Sequence, residues 1–554
     1  MLHLISLNCR YTHSCLAQFC LRAELERRLP ELPVLLSQFT LNDPYYATLL
    51  RISGQPAKAL LFSVYVWNHA YVRRLINDLA RLRPELPLLL GGPQAAAMTD
   101  LSPNCTIFIG EIESAEEDFF RDLRQGTLKP RYQAAPSRSF PSPYKPEDFQ
   151  TFLKNRQVYY ESSRGCPFSC SYCLSSISKG VRHKPLDVVK EELRGLIAAR
   201  PLIIKFVDRT FNDKPERAMA IWRFLLDEGQ GVRFHFEIAP DRFTEEMFAL
   251  LEHAPCDMFQ FEIGIQSCNP ATLAAVRRQM DLPQAEANIR RLVALDSIHI
   301  HADLILGLPH ETAASFRQSF NRVFRSRPHH IQLGLLKVLP GTEMQARAAE
   351  FGLLHCAEPP YEALATRWLP HEELRDLHEF CECAEAFRNN RFFPSLWAYL
   401  LRRGEEPSAF FHSLLELCSQ RSFFQLAHTQ ALMNQMLALL AKQREDGALL
   451  LELLRYDWLR CGHRFLPEEL TAAPPSLLRD RLRQTLPQEI EGLFSSRTRT
   501  EFLKQSSLLE LSAEAMTALG LSERAGIVAL LPEQAGGVLQ HCRAVVLPDR
   551  EEER

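Results

Sequence analysis

Between residues 2 and 125, short apolar runs alternate with stretches whose apolar residues recur at the helical period. Leu2–Leu7, Val34–Phe39, Ala59–Val66, Leu88–Leu90 and Thr106–Ile109 predict strands. Ser14–Arg28, Ala70–Arg83 and Ser114–Leu123 predict helices, with Ser14 and Ser114 as candidate N-caps. Such alternation predicts a doubly wound parallel sheet, whose ligands sit at the carboxyl ends of the strands. Those ends carry Asn8, Arg10, Tyr11, His13 and Ser14, then Tyr65, Trp67 and Asn68. They continue with Gly91, Gly92, Pro93 and Gln94, and with Gly110, Glu111 and Glu113. Glycines there let backbone approach a ligand closely. The lone His13 reads as a hydrogen-bonded loop residue rather than a metal ligand.

Residues 127–156 hold Pro130, Pro136, Pro141, Pro143 and Pro146 and keep no period, so they predict an extended linker. From 157 to 345, strand and helix alternate again. The strands are Val158–Ser162, Leu202–Val207, Arg233–Ala239, Met258–Gln266, His299–Leu306 and Ile331–Val338. Helical stretches at Val188–Ala199, Pro215–Glu228, Glu245–His253, Leu273–Asp296 and Ala313–Arg325 separate them. Six such units make a partial (β/α)6 TIM-type barrel with a lateral opening. Residues 346–554 predict a mainly α-helical domain ending in a hairpin of Gly526–Leu531 and Ala544–Leu547 around Gly536 and Gly537. The fold class is therefore α/β with a helical C-terminal domain.

Composition narrows this picture only slightly. A length of 554 residues suggests about three or four domains, and a net charge of −3 makes no electrostatic case for a membrane or nucleic-acid partner. Fifteen cysteines, an odd and scattered set, do not form a disulfide framework. Most read as buried thiols, and Cys381 and Cys383 as core or surface thiols rather than a ligand pair. With no signal peptide and no run long enough to cross a bilayer, the expected location is the cytoplasm.

The chemistry concentrates in Cys166, Cys170 and Cys173, just after the apolar run at Val158. Gly165 and Pro167 argue that the cysteines lie on a loop at a strand end. Three thiolates at this spacing suit a 4Fe–4S cluster with one iron left without a protein ligand. The alternative is a structural zinc knuckle with His183 as the nearest fourth ligand. Glu237, Glu262 and Asp303 stand inside apolar strands, where a carboxylate needs either a partner or a function.

The C-x3-C-x2-C spacing, with Tyr172 before the last cysteine, resembles the signature of the radical S-adenosylmethionine (SAM) superfamily. The resemblance implies a cluster on Cys166, Cys170 and Cys173 that reductively cleaves SAM to a 5′-deoxyadenosyl radical. It also implies an electron donor such as flavodoxin or ferredoxin and a small-molecule or peptide substrate. Gly264, Gln266 and Ser267, with Asp303, Gly307 and Pro309, resemble the coproporphyrinogen-oxidase and related branches. There Glu237 and Gln266 would approach the SAM ribose and Arg278 the SAM carboxylate. Arg277, its neighbour, is the alternative. Tyr172, Asp208 and Asp303 complete the implied SAM set. The first domain resembles the cobalamin-binding domain found ahead of many such barrels. It lacks the Asp-x-His-x-x-Gly stretch that supplies a lower cobalt ligand. This implies cobalamin at Asn8, Arg10, Tyr11, His13, Ser14, Tyr65, Trp67, Asn68, Gly91, Gly92, Pro93, Gly110 and Glu111. Leu454, Arg455, Tyr456, Asp457 and Trp458 resemble an uncharacterised domain that follows some of these cores. On the residues alone, they read as packed aromatics on an amphipathic helix. The expected activity is methyl transfer to an unactivated carbon. The alternatives are radical cyclisation or rearrangement, and a non-catalytic cobalamin or redox sensor with a structural metal site.

Overall fold

The structure is a computed structural model, and it describes residues 1–177, 180–471, 478–480, 482–483, 486, 498–531 and 542–547. The first domain is a six-stranded, all-parallel sheet in the order β2-β1-β3-β4-β5-β6. Its strands are β1 (Leu2–Asn8), β2 (Val34–Thr40), β3 (Ala59–Ser63), β4 (Leu88–Gly91), β5 (Cys105–Ile109) and β6 (Arg131–Gln133). Every residue of β1 is buried, as a strand covered on both faces requires. Helices Leu16–Arg28, Tyr45–Ser53, His69–Leu82 and Glu117–Gln125 cover the sheet.

The predicted linker is not a free spacer. It supplies the edge strand β6, and its Asp148 takes a bidentate ion pair from Arg22 at 2.6 Å with both side chains buried. Ser14 caps no helix, because its hydroxyl donates instead to the Gln157 carbonyl, 2.7 Å away. Ser114 ends a 3-10 turn ahead of the helix that starts at Glu117.

The second domain is a parallel half-barrel in the order β14-β13-β12-β11-β10-β7. Its strands are β7 (Val158–Tyr160), β10 (Ile203–Phe206), β11 (Arg233–Ile238), β12 (Phe259–Gln266), β13 (His299–Leu306) and β14 (His330–Leu335). Between β7 and β10 an antiparallel ribbon, β8 (Ser163–Cys166) with β9 (Gly180–His183), carries the cysteine loop. Gly165 lies within β8 rather than ending it. Its φ is +98°, and a Cβ there would meet the Gly180 carbonyl at 2.1 Å.

Strands β12 and β13 alternate strictly between buried and partly exposed residues. Phe259, Phe261, Ile263, Ile300, Ala302 and Leu304 face the helices and join the main core. Glu262, Gln266, His301 and Asp303 fall on the opposite, inward face. A full barrel packs its interior with branched apolar side chains; this one keeps a polar lumen.

Past β14 comes a short ribbon of β15 (Leu354–His355) and β16 (Ala363–Ala365). Helices His371–Arg388, Pro394–Arg402, Pro407–Gln420, Gln430–Ala441 and Gly447–Arg460 follow. The chain closes with a three-stranded antiparallel sheet of β17 (Ser507–Leu511), β18 (Gly526–Leu531) and β19 (Arg543–Val546). The predicted terminal hairpin is β18 and β19, while Gly536 and Gly537 lie outside the described residues. The first of the five helices covers the barrel's edge strand. Asn389, just past its end, takes the Ile331 N–H at 2.9 Å and donates to the Ile331 carbonyl, and Glu385 takes the Leu333 N–H at 2.5 Å. The unpaired backbone of β14 is thereby satisfied. Among the described residues no helix is long and apolar enough to cross a membrane.

Candidate active site

Cys166 ends β8, and Cys170 and Cys173 sit on the turn beyond it. Three backbone hydrogen bonds hold that turn: Ser171 N to Val276 O at 3.0 Å, Met344 N to Ser171 O at 2.8 Å, and Cys173 N to Cys170 O at 3.1 Å. The Met344 bond comes from the helix that Thr342 caps, so the Gly341-Thr342 turn is a plain helix start.

The three cysteines line one cavity of about 310 Å³ at the carboxyl ends of the barrel strands. Phe168, Tyr172, Arg209, Thr210, Glu237, Glu262, Gly264, Gln266, Arg278 and Asp303 line it as well. Among the described residues no three His, Cys, Asp or Glu side chains converge as they would around a single metal ion. His183, the candidate fourth zinc ligand, lies 3.1 Å from Asp213 instead. Thiolates sharing a cube bind different irons and so stand further apart than ligands of one ion. The donor set, three thiols lining one cavity, fits a cluster, and His183, the nearest candidate for a fourth zinc ligand, is turned to Asp213.

Arg278 is the cavity's distinctive cation. Its Nη2 donates to the Gly264 carbonyl at 2.5 Å, its Nη1 lies 3.9 Å from Cys170 Sγ, and its guanidinium sits 5.3 Å from the Phe168 ring centre. Nε is buried without a partner, and no carboxylate pairs with the group among the described residues. A buried guanidinium with spare donors is built to receive a carboxylate. Arg277 is instead paired with Glu343 at 2.8 Å.

The lumen's carboxyls carry different charges. Burial pushes Glu237 up to about 7, against the pull of Arg209 and with reinforcement from Glu262. Burial opposes ionisation of Glu262, but the hydrogen bond from His235, at 3.0 Å, together with the charges of His235, His301 and Lys205, holds this carboxyl low. Asp303 is pushed well above its ordinary range by burial and by the nearby Glu262 and Glu237. Burial keeps His235 and His301 below their usual pKa.

Gln266 ends β12 at a register shift, with φ +71°. This is a bulge that re-aims a side chain at a sheet's rim. Asp208, expected beside SAM, does not line the cavity. Its carboxylate accepts from Ser162 N–H at 2.9 Å and from the Ser162 and Ser163 hydroxyls at 2.6 Å each. Those bonds saturate it as an internal brace for the start of the cysteine ribbon. Sequence reading missed Phe168, Arg209 and Thr210 as lining residues. Arg209 and Thr210 stand at the end of β10 beside Asp208, and that position was the available signal.

The carboxyl edge of the first sheet abuts the barrel and the cysteine ribbon. His13 Nδ1 meets the Tyr159 hydroxyl at 2.7 Å, and Arg156 donates to the His13 carbonyl at 2.8 Å. Arg164 of β8 pairs with Glu111 and Glu113 at 2.8 Å each, and Arg182 of β9 also pairs with Glu111. Glu111 is thus a domain clasp. Asn8 and Asn68 are buried and spent on internal bonds, Asn8 to the His13 carbonyl and Gln38, Asn68 to the Leu7 and Ser63 carbonyls. Gly92 and Gly110 are required by their own chain: a Cβ would meet Val64 O at 2.6 Å and Ala134 O at 2.1 Å. Left open at this edge are Arg10, Tyr11, Gly92, Pro93 and Trp67, whose ring stacks on Tyr65 at 4.4 Å. Gln94, fully buried there, has neither amide atom hydrogen-bonded.

Fold and site together define a radical SAM domain. Residues 160–323 match the radical SAM superfamily, and residues 349–507 match a family described as a protein of unknown function, DUF4080. The chain is 25% identical over 295 residues to the bacteriochlorophyllide d C-12(1)-methyltransferase of Chlorobaculum tepidum, covering 50% of this chain. It is 23% identical over 340 residues to the hopanoid C-2 methylase of Rhodopseudomonas palustris, covering 58% of this chain. It spans 63% of the length of each relative. The structure of the cobalamin-dependent SAM radical enzyme OxsB with aqua-cobalamin bound shares the fold. That match has a TM-score of 0.57 and 13% identity, over 91% of this chain and 83% of that one.

Proposed function

We propose that the chain is a cobalamin-dependent radical SAM methyltransferase acting on an unactivated carbon. One observation carries the reading. The carboxyl edge of the first sheet, where such folds bind ligands, is pinned against the ribbon that bears the three cysteines. A cofactor held at that edge would share the space at the barrel mouth with SAM. Both relatives described above are named as methylating enzymes.

When bound, the cluster and SAM supply a 5′-deoxyadenosyl radical that abstracts hydrogen, and cobalamin supplies the methyl group. Cys166, Cys170 and Cys173 would hold the cluster. Arg278 binds the SAM carboxylate with its spare donors. Gln266 and Glu237 orient the ribose, and the protonated form of Glu237 serves as a donor there. Tyr172 and Phe168 wall the cluster side from water, and Asp303 offers a neutral carboxyl to the ligand. Tyr11, Trp67, Gly91, Gly92 and Pro93 present an aromatic and backbone surface suited to a large planar group, with Gln94 supplying an unsatisfied amide. Tyr159 holds His13 through Nδ1, at 2.7 Å.

The test is anaerobic turnover with hydroxocobalamin, SAM as the sole methyl source, and reduced flavodoxin or ferredoxin, supplied with a small-molecule extract. Methyl transfer yields S-adenosylhomocysteine alongside 5′-deoxyadenosine. 5′-Deoxyadenosine with a consumed substrate and no S-adenosylhomocysteine would identify a cyclase or rearrangement enzyme instead.

A further inference from the structure

The near-neutral total charge hides a concentrated basic site in the C-terminal region, far along the chain from the cysteines. A cavity of about 450 Å³ is lined by Arg464, Phe465, Arg479, Arg483, Arg499, Thr500, Leu503 and Lys504. Five of these eight side chains are cationic and none is acidic. Several arginines elsewhere are matched to carboxylates, as Arg22 is to Asp148, Arg164 to Glu111 and Arg444 to Glu405. Here, among the described residues, only Arg483 has such a partner, Asp480, at 3.2 Å with both side chains exposed. Arg479 and Arg499 donate to the Ser506 and Leu486 carbonyls, which orient the guanidiniums without neutralising them. Arg479 Nε is buried and unpartnered. Like charges gathered without counter-charge repel one another, and the arrangement suits a ligand that brings the negative charge.

The cavity also has a base-sized surface. Phe465 is 78% exposed, the most exposed of the large apolar side chains of the described residues. Its backbone is fixed. Trp458 Nε1 donates to the Phe465 carbonyl at 2.7 Å, Arg455 Nε donates to the Leu470 carbonyl at 2.9 Å, and the Trp458 ring stacks on His463 at 3.9 Å. The Arg455–Trp458 block is therefore the brace that presents Arg464 and Phe465. On the opposite wall, helix Arg499–Gln505 offers Arg499, Thr500, Leu503 and Lys504 along one side.

We infer that this cavity binds a nucleotide unit, its phosphates held by Arg464, Arg479, Arg499 and Lys504 and its base stacked on Phe465. Guanidinium forks match phosphate oxygens, an exposed aromatic ring matches a base face, and the volume is that of a small-molecule site. The inference concerns a region outside the barrel and does not depend on the methyl-transfer reading.

The test uses the full chain with its cluster reconstituted. Pyrophosphate and ADP are titrated by calorimetry, and a labelled single-stranded RNA of about eight nucleotides by anisotropy. ADP is expected to bind more tightly than pyrophosphate, F465A to remove that difference, and R464E/K504E to weaken every probe by about tenfold or more. Retained 5′-deoxyadenosine formation by R464E/K504E shows that the variant is folded. RNA binding more than about tenfold tighter than ADP would place the nucleotide in a chain, and the reverse order would make it a free ligand. No binding of any probe at low salt, or binding that R464E/K504E leaves unchanged, overturns the inference.

Discussion

Arg278 and Arg277 are neighbours with opposite fates. Arg277 turns outward to Glu343, and Arg278 lies in the cavity against Cys170 and Phe168 with no carboxylate of its own. R278A should therefore cost about 1.5–3 kcal/mol of SAM binding, roughly ten- to a hundredfold in Kd, while R277A leaves it near wild type. Equilibrium binding of SAM to the reconstituted protein checks this. Glu237 gives a second prediction. Its carboxyl stands at about 7 in the fold against an ordinary 4.5, so between those values the folded chain holds a proton that the unfolded chain has lost. Its contribution to stability is complete below 4.5 and fades as pH rises through about 7. E237Q should flatten the fall of melting temperature across that window relative to wild type. A parallel fall in both proteins would place the proton elsewhere.

Elements whose pattern is long and one-sided were legible from sequence. Strand β13 and the helix Ala313–Arg325 begin and end where their periodicity does. Elements whose reason lies in a partner were not. Strand β6 is three residues between prolines, and only the edge of β5 makes it a strand. The ribbon β8–β9 places Gly165 and Cys166 in a strand because Gly180 approaches closely from across the loop. The helix Tyr45–Ser53 buries only Thr48 and Ile52, too few positions for a clear period. In the site, the cysteines and inward-facing carboxyls could be read from spacing and alternation. The saturation of Asp208 by Ser162 and Ser163 could not, because it depends on a turn formed between two strands. One inter-element contact invites a direct test. Asn389 satisfies both backbone groups of Ile331, so N389A should cost about 1–3 kcal/mol in a denaturant titration. An unchanged midpoint would mean that water replaces the amide.

At the scale of the whole molecule, three bodies meet around the cysteine ribbon. Arg164 pairs there with Glu161, just ahead of the ribbon, and with Glu111 and Glu113 of the first domain, and Met344, past the barrel's last strand, secures the cysteine turn. Charge is neutralised at this junction and, among the described residues, left open at Arg278 in the barrel and at the basic cavity beyond residue 460. The central claim is that the three thiols hold a cluster with one iron free for SAM. The most direct measurement is anaerobic reconstitution followed by iron and zinc analysis and electron paramagnetic resonance of the reduced protein, with and without SAM. About four irons per chain are expected, with their loss in C166A/C170A/C173A and a reduced-cluster signal that shifts when SAM is added. Zinc in place of iron, or a cluster signal indifferent to SAM, would contradict it.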